Sequence, residues 1–170
     1  NRLIFRLFPR VLLRSMRDVM LEPPDPFVGK VLNGTYRVVA RLGAGGMGIV
    51  YRAEHLRLPT RSVVKILNQV VDQGSEAYRR FYREAAVSSQ LKHDHIVEVT
   101  DFNVAEDGRP YIVMELLEGE DLDGFLKRNG PLTPSQVLGI LEHVCDALQE
   151  AHAHGIVHRD LKPQNLFLCR

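Results

Sequence analysis

Three segments in the first half of the chain carry the short, apolar, β-branched and aromatic runs that are typical of strands. They are Tyr36–Leu42, Gly48–His55 and Arg61–Leu67. A glycine-rich stretch joins the first two segments, and Leu58-Pro-Thr60 joins the second to the third, so that both connections contain turn residues. The pattern of apolar and polar positions therefore predicts an antiparallel meander of three strands.

The hydrophobic pattern changes to a helical period after the third strand. Between Gly74 and Lys92, apolar positions recur at spacings of three and four with charged residues between them, which predicts an amphipathic helix. Two further strands are predicted at Ile96–Val104 and Pro110–Leu117, because the Asp107-Gly108 pair between them is a hairpin signal. The resulting fold class is α+β, with five antiparallel strands and one helix.

A second, longer helix is predicted from Pro134 onward. Thr133 is a suitable N-cap, Pro134 fits the first helical position, and Gln136 completes a capping box. Gly155 is a natural C-terminal stop. The predicted apolar stripe of this helix consists of Val137, Ile140, Leu141, Val144, Leu148 and Ala151.

Composition and charge exclude several classes of protein. With 170 residues, 45% hydrophobic and 25% charged, the chain can form one domain-sized core. Its net charge of +1 gives no basis for nucleic-acid binding. No apolar run reaches the roughly 20 residues that span a bilayer. Cys145 and Cys169 have neither metal-binding nor redox spacing, so a reduced, cytoplasmic protein is expected.

The first 26 residues differ in character from the rest. Five arginines occur in residues 1–21 at near-helical spacing, which allows an amphipathic segment at a membrane surface. We favour the alternative, an N-terminal extension that precedes a true start at Met16 or Met20. The stretch Glu22-Pro-Pro-Asp-Pro26 then predicts a stiff linker, so residues 1–26 form an extension and linker.

The glycine-rich stretch is the first candidate binding element. Gly43, Gly45 and Gly48 form a G-x-G-x-x-G frame between two predicted strands. A dinucleotide-binding turn with this spacing would have to open a helix. The strand-like Ile49-Val-Tyr51 instead favours a hairpin whose tip folds over phosphates. A plain glycine-rich hairpin remains the alternative.

Lys65 and Glu84 form a candidate ion pair. Lys65 lies in the apolar third strand, from which its ammonium could point under the glycine loop towards phosphate oxygens. Glu84, on the amphipathic helix, is the natural counter-charge. Taken separately, Lys65 could reach water with its charged end, and Glu84 could be a solvated acid between Arg80 and Arg83.

The polar run His158-Arg-Asp-Leu-Lys-Pro-Gln-Asn165 is the strongest candidate for catalysis. Asp160 can accept the proton of an attacking hydroxyl, Lys162 can neutralise a transferred phosphoryl group, and Asn165 can bind magnesium through its amide oxygen. The alternative is a charged surface turn. The histidines His152 and His154, together with His158, also allow a metal site, which we consider the weaker hypothesis.

Together, the glycine loop, Lys65, Glu84 and His158–Asn165 resemble the protein kinase family, and specifically its bacterial, Hanks-type serine/threonine branch. The resemblance runs from about residue 36 to the end of the chain. It implies the two-lobed protein kinase fold, with a small lobe at residues 27–115. Residues 116–170 would form the hinge and only the first part of the helical large lobe.

The resemblance also implies ATP and Mg²⁺ as cofactors and serine- or threonine-bearing proteins as substrates. Lys65 would contact the α- and β-phosphates, with Glu84 as its anchor. His158 would organise the catalytic loop, Arg159 would receive a phosphorylated activation loop, and Asn165 would also be the metal ligand. The implied nucleotide-binding residues are Leu42, Gly43, Ala44, Gly45, Gly46, Met47, Gly48, Val50, Val63, Lys65, Met114 (the gatekeeper), Glu115, Leu117 and Asn165.

The sequence departs from the family pattern in several places. Val63 replaces the usual small residue over adenine, and Asp94-His95 replaces a frequent Pro-Asn pair. No Asp-Phe-Gly or activation loop follows residue 165. We therefore expect a truncated kinase. Its segment after Leu117 should be poorly stable alone, and the fragment as a whole should have little or no kinase activity. A pseudokinase-like regulatory module that binds nucleotide is the alternative, and the parent protein could carry a membrane anchor.

Overall fold

The structure is a computed structural model that describes residues 3–5, 12–13, 25–45, 48–72 and 74–170. The side chains of Phe5, Leu12, Leu13, Ala77 and Glu84 lie outside this description. The helices are α1 (Glu76–Gln90), α2 (Leu122–Asn129) and α3 (Pro134–Ala153), and a 3-10 turn covers Pro163–Asn165. The strands are β1 (Leu3–Phe5), β2 (Leu12–Leu13), β3 (Val31–Leu32), β4 (Tyr36–Gly45), β5 (Gly48–His55), β6 (Arg61–Leu67), β7 (Val99–Val104), β8 (Pro110–Glu115), β9 (Gly119–Asp121) and β10 (Leu166–Cys169).

The chain divides into two compact units. One, here called the sheet unit, consists of Val11–Ala86 and Val99–Leu116. The other, the helical unit, consists of Asn1–Arg10, Val87–Glu98 and Leu117–Arg170. The chain therefore passes from the sheet unit into the helical unit between Leu116 and Leu117.

The sheet unit contains an antiparallel sheet with the strand order β2-β4-β5-β6-β8-β7, and β3 also pairs with β4. The five strands predicted from the sequence form the continuous run β4-β5-β6-β8-β7 in this sheet, which confirms the meander and the second hairpin. The predicted fourth strand begins three residues late, at Val99 rather than Ile96. Two strands were not predicted, because β2 and β3 have only two residues each and show no period.

One face of this sheet forms the main apolar core of the sheet unit. Its central strands contribute alternate residues, of which Tyr51, Val64 and Val113 are 0% exposed. This spacing follows from the period of two in a strand, which places every second side chain on the same face. The buried members of the core are Phe27, Leu32, Tyr36, Val38, Tyr51, Ala53, Val64, Ile66, Ala105, Tyr111 and Val113.

Two tyrosines of this core are hydrogen-bonded to carboxylates. The Tyr36 hydroxyl donates to Asp101 Oδ2 at 2.9 Å, and the Tyr51 hydroxyl donates to Asp25 Oδ2 at 3.2 Å. Burial raises the pKa of Tyr36 to about 12, and the hydrogen bond to Asp101 adds to the effect. Burial also raises the pKa of Tyr51 and of Tyr111. The neutral phenols are therefore strongly favoured in the folded protein.

In the helical unit, α3 begins as predicted from its capping box. The Thr133 backbone N–H donates to Gln136 Oε1 at 2.9 Å, and the Gln136 N–H donates to Thr133 Oγ1 at 3.3 Å. Both partners of the box are thus present, and they satisfy donors that a helix start leaves free.

The predicted apolar stripe of α3 was partly wrong. Val137 and Leu141 are 39% and 49% exposed, whereas the unpredicted Ala147 is 0% exposed. The apolar residues of α3 occupy a wider part of the helix surface than the part that packs against the core. The packed part includes the small residues Ala147 and Ala151. The residues of α3 that are buried or packed against the core are Ile140, Val144, Ala147, Leu148 and Ala151.

Helix α2 was not predicted, although the residues that bracket it are typical of helix ends. Asp121 is the N-cap, and its Oδ1 accepts the Gly124 N–H at 2.8 Å. Gly130, at φ +79°, ends the helix by donating its N–H to the Leu126 carbonyl at 2.9 Å. With eight residues, α2 is too short to show a clear hydrophobic period.

A second sheet, of three strands in the order β1-β10-β9, lies in the helical unit. Leu3 pairs with Leu168, and the side chains of Leu3 and Ile4 are only 3% and 1% exposed. The carbonyl of Leu3 also lies 2.7 Å from His95 Nδ1. The near-helical spacing of residues 1–21 was therefore misleading for residues 3–5 and 12–13, which form strands because other strands offer edges to pair with. The rest of the predicted extension and linker up to residue 24, with Met16 and Met20, lies outside the described residues.

We expect Tyr36→Phe to destabilise the protein by about 1 kcal/mol at neutral pH, because the hydrogen bond to Asp101 is lost. The folded-state pKa of about 12 exceeds the ordinary value of 10.0. The contribution of Tyr36 is therefore complete below pH 10 and is lost as the pH rises towards 12. The variant should lose less stability over this interval than the wild type.

Urea unfolding on either side of pH 10 measures both effects. Tyr82→Phe is the matched control, because the Tyr82 side chain is exposed and its ring contact with Phe102 is retained. Equal alkaline losses of stability in the wild type and Tyr36→Phe would contradict the assignment.

Candidate phosphotransfer site

The predicted glycine hairpin is present. Strands β4 and β5 pair antiparallel up to the tip of the hairpin. There, Gly43 is opposite Val50, Ala44 is opposite Ile49 and Gly45 is opposite Gly48. Because a strand rather than a helix follows the glycines, a dinucleotide-binding turn is excluded. Gly46 and Met47, which were also predicted to contact the nucleotide, lie outside the described residues.

Gly48 has a structural role that the sequence did not reveal. A Cβ at this position would lie 2.4 Å from the backbone carbonyl oxygen of Ile66 on β6. Side chains do not tolerate such a distance, so only glycine lets β5 and β6 approach this closely. Gly48 is therefore required by the packing of the sheet, independently of any phosphate.

Lys65 lies at the centre of the sheet and is 3% exposed. It is directly opposite Val50 on β5, and its neighbour Val63 is opposite Met114 on β8. Residues directly opposite each other share a face, as do residues two apart on one strand. Val50, Val63, Lys65 and Met114 therefore lie on one face, opposite to the core residues Val64 and Ile66, although the sequence predicted them separately.

The alternative in which Lys65 reaches water is not supported, because so little of its side chain is exposed. Helix α1 lies over the same face of the sheet. The ring centroids of Tyr82, on α1, and Phe102, on β7, are 4.7 Å apart. Phe102 is opposite Ile112 on β8, and Ile112 is opposite Lys65, so Phe102 shares the face of Lys65. Glu84 belongs to α1, but its side chain lies outside the described residues. The Lys65–Glu84 ion pair remains a prediction.

The other predicted nucleotide-binding residues lie at the ends of strands. Leu42 and Ala44 are half-buried in β4, where the register with β5 shifts between Arg41 and Gly43. Glu115 ends β8, and Leu117 is the first residue of the helical unit in this part of the chain. The predicted hinge thus coincides with the passage from one unit to the other.

Two of the four predicted catalytic residues, Asp160 and Lys162, come together with the predicted metal ligand Asn165 in the loop between α3 and β10, whereas Lys65 and Glu84 belong to β6 and α1. Lys162 Nζ donates to Asp160 Oδ1 at 2.6 Å and to Oδ2 at 2.5 Å. The Asn165 amide donates to the Asp160 carbonyl at 2.7 Å and to its Oδ2 at 3.2 Å. Asn165 is 1% exposed, whereas the Asp160 side chain is 36% exposed. A solvent-accessible carboxylate is thus held by a cation and a buried amide.

These contacts determine the charge of Asp160. The hydrogen bond from Lys162 holds the pKa of Asp160 below its ordinary value, against a smaller opposing effect of desolvation, and Asn165 and His158 lower it further. His158 also accepts the Asp160 backbone N–H through Nδ1 at 3.2 Å. Arg159 between them has φ +59°, an unusual conformation for a residue with a side chain. Asp160 is therefore an anionic acceptor over the whole neutral pH range.

One contact of this loop was missed in the sequence. Gln164 Nε2 donates to Asp123 Oδ1 on α2 at 2.9 Å. The two residues are 41 positions apart, and no motif links them. The only sequence signal near this contact was the pair of capping residues of α2, Asp121 and Gly130. They predict a helix and place Asp123 in its first turn, but they do not point to Gln164.

Two further features to consider in the described part of the chain are a metal site and a membrane-spanning helix. Within it, no three His, Cys, Asp or Glu side chains are grouped so that they could hold a metal ion, and His152, His154 and His158 are among the residues covered. None of the helices described has the length and apolar character needed to cross a membrane.

The comparisons with known proteins agree with this geometry. The protein kinase domain family matches residues 36–170, so the chain belongs to the protein kinase family. The serine/threonine-protein kinase Pkn1 of Myxococcus xanthus is 45% identical over 151 residues, and PrkC of Bacillus subtilis is 41% identical over 141 residues. The aligned parts cover 89% and 83% of this chain, respectively. The chain is thus similar to bacterial serine/threonine protein kinases.

Solved structures confirm the fold. The crystal structure of the PknI kinase domain from Mycobacterium tuberculosis matches with a TM-score of 0.73 at 36% identity, over 83% of this chain and 56% of that one. The chain also spans only about a fifth of the curated relatives, 21% of Pkn1 and 22% of PrkC. The family and kinase-like fold are therefore confirmed, while the roles of individual residues remain predictions.

We expect Gly48→Ala to destabilise the protein by roughly 1–3 kcal/mol, the usual range for overpacking, because the new methyl group would collide with β6. Urea unfolding measures the change. Gly139→Ala in α3 is the control, since its methyl group would meet no atom within 4 Å and alanine favours a helix. A stability of Gly48→Ala equal to that of the wild type would contradict the packing role.

Proposed function

We propose that these residues provide the nucleotide-binding sheet and the catalytic loop of a serine/threonine protein kinase. The reaction would transfer the γ-phosphoryl group of ATP to serine or threonine hydroxyls of protein substrates. The observation that carries the proposal is the catalytic loop, where Lys162 and Asn165 both contact Asp160. Because the chain spans about a fifth of its curated relatives, the proposal concerns the protein encoded by the complete reading frame.

Asp160 would act as the proton acceptor. Its carboxylate is ionised at neutral pH and accessible, so it can orient the substrate hydroxyl and take its proton as the oxygen attacks. Lys162, already 2.5 Å from Asp160 Oδ2, would share its ammonium with the transferred phosphoryl group. Phosphoryl transfer depends mainly on positioning and on neutralising charge, and these two side chains supply both.

The nucleotide would bind along the sheet face that carries Lys65. The glycine hairpin would cover its phosphates, and the buried Lys65 ammonium would contact the α- and β-phosphates, with Glu84 as anchor. Val63 and Met114, opposite each other on that face, would border adenine, and the backbone of Glu115–Leu117 would hydrogen-bond it.

The catalytic loop also fits a magnesium ion. Carboxylate and amide oxygens are its preferred protein ligands, and Asn165 and Asp160 present both within one hydrogen-bonded pair. Asn165 would hold the ion, which would neutralise the charge that develops on the phosphates during transfer.

The setting of the reaction follows from the same proposal. Protein substrates and ATP would be the partners, in the cytoplasm, and Arg159 would receive a phosphorylated activation loop. For the 170 residues expressed by themselves we propose little transfer, because the Asp-Phe-Gly aspartate that holds magnesium in kinases is not in this sequence.

We expect Asp160→Asn to lower kcat by about 10²–10⁴-fold, because the proton acceptor is lost while the size of the side chain is kept. Phosphate incorporation into a protein substrate and ATP-induced thermal stabilisation should be measured on the complete protein. Asp146→Asn, at an exposed carboxylate of α3, is the control. Unchanged transfer by Asp160→Asn would refute the kinase mechanism, and ATP binding without transfer by the wild type would favour the pseudokinase-like alternative.

Lys162→Met should change the pH dependence as well as the rate. Without the Lys162 hydrogen bond, the pKa of Asp160 should rise towards its ordinary value. Protonation would then inactivate the base at a higher pH, so the acidic limb of the plot of kcat/KM against pH should move to higher pH. Lys92→Met, at an exposed position, should leave the limb in place. An acidic limb unmoved in Lys162→Met would contradict this role.

A further inference from the structure

The catalytic loop is tied to helix α2 through one side chain. Asp123, in the first turn of α2, accepts the Gln164 amide through Oδ1 at 2.9 Å and the Lys127 ammonium through Oδ2 at 2.6 Å. Gln164 is the middle residue of the 3-10 turn Pro163–Asn165. The contact therefore joins two elements that are far apart in sequence.

The turn transmits this contact to the catalytic residues. Gln164 is bonded covalently to Asn165, whose backbone N–H donates to the Lys162 carbonyl at 2.9 Å. The Asn165 amide in turn donates to the carbonyl and the carboxylate of Asp160. Pro163 fixes its own φ and so limits how the turn can move. Asp123 thus acts on Asp160 through Gln164 and Asn165.

Helix α2 provides a firm base for Asp123. Its N-cap Asp121 and C-terminal Gly130 are both hydrogen-bonded to the helix backbone, and Leu122 is 5% exposed in the core of the helical unit. A negative side chain in the first turn is also favoured by the helix dipole. The Asp123 side chain is 24% exposed, so water competes only partly for its oxygens.

We propose that Asp123 is a positioning residue for phosphotransfer. By holding Gln164, it fixes the 3-10 turn and therefore the position of Asn165 relative to the Asp160 carboxylate. This inference rests on the proposed function, in which Asn165 holds magnesium. Loss of the contact should loosen the metal site and lower the rate of transfer, without altering the nucleotide residues of the sheet unit.

The test compares two substitutions of Asp123 in the complete protein. Asp123→Ala removes the acceptor, and we expect kcat to fall about 3- to 10-fold and the Mg²⁺ concentration for half-maximal activity to rise by a similar factor. Asp123→Asn keeps an oxygen for Gln164 and should retain both values within about 2-fold. An Asn variant as impaired as the Ala variant would overturn the proposal.

Lys127→Met is the matched control, because it removes the other partner of Asp123 and leaves the Gln164 contact in place. It should leave kcat and the Mg²⁺ requirement unchanged, and a Mg²⁺ requirement raised as in Asp123→Ala would overturn the proposal. Gln164→Met deletes the contact from the loop side and serves as the second variant if Asp123→Ala fails to fold. Gln164→Met should lower kcat and raise the Mg²⁺ requirement as Asp123→Ala does. The double variant of Asp123→Ala and Gln164→Met should show no lower kcat and no higher Mg²⁺ requirement than either single variant.

Three outcomes separate this inference from the proposed function. If the wild type transfers phosphate and Asp160→Asn does not, while Gln164→Met and Asp123→Ala match the wild type, only the positioning role fails. If kcat and thermal stability fall together with an unchanged Mg²⁺ requirement, Asp123 is merely structural and the proposal is overturned. If Asp160→Asn remains active, the proposed function itself fails.

Discussion

The amide of Asn165 is the contact on which the helical unit's functional loop depends. It donates to both the backbone and the side chain of Asp160, so that the six residues Asp160–Asn165 close into one fixed loop. The closure fixes where the loop ends, and Leu166 enters β10 directly afterwards with 7% of its surface exposed. A buried amide that makes these two bonds satisfies groups that would otherwise be costly to remove from water. The local order of the loop and the geometry proposed for catalysis therefore have the same cause.

The two faces of the strands in the sheet unit have different roles: one face forms the apolar core, and the other carries the residues proposed to bind the nucleotide. In β6, Val64 and Ile66 face the apolar core, while Val63 and Lys65 face the opposite side. Burying a lysine is unfavourable unless its charge is paired or hydrogen-bonded, and the apolar burial on the other face of the strand adds stability to the same element. The narrow approach of β5 to β6 at Gly48 belongs to the same arrangement, because it brings the glycine hairpin to the strand that carries Lys65.

The sequence predicted those features that have a local signal. Strands of six or more residues and the Thr133 capping box could be predicted because each repeats a period or a fixed spacing. The two-residue strand β3 and the eight-residue α2 were missed, because neither is long enough for a period to emerge. The contact of Asp123 with Gln164 could not be predicted, since it depends on how distant elements pack. The family resemblance supplied the roles expected of the nucleotide-binding residues, His158 and Arg159, which no local pattern encodes.

The pairing of β1 with β10 has a practical consequence for preparing the protein. Leu3 lies opposite Leu168, so strand β10 has a partner on each side only while the first few residues are present. A recombinant version that starts at Phe27 would leave one edge of β10 with open backbone donors and acceptors. Such edges recruit strands from other molecules, and the shortened polypeptide would be prone to self-association during purification. An affinity tag placed directly before Leu3 would crowd the same edge.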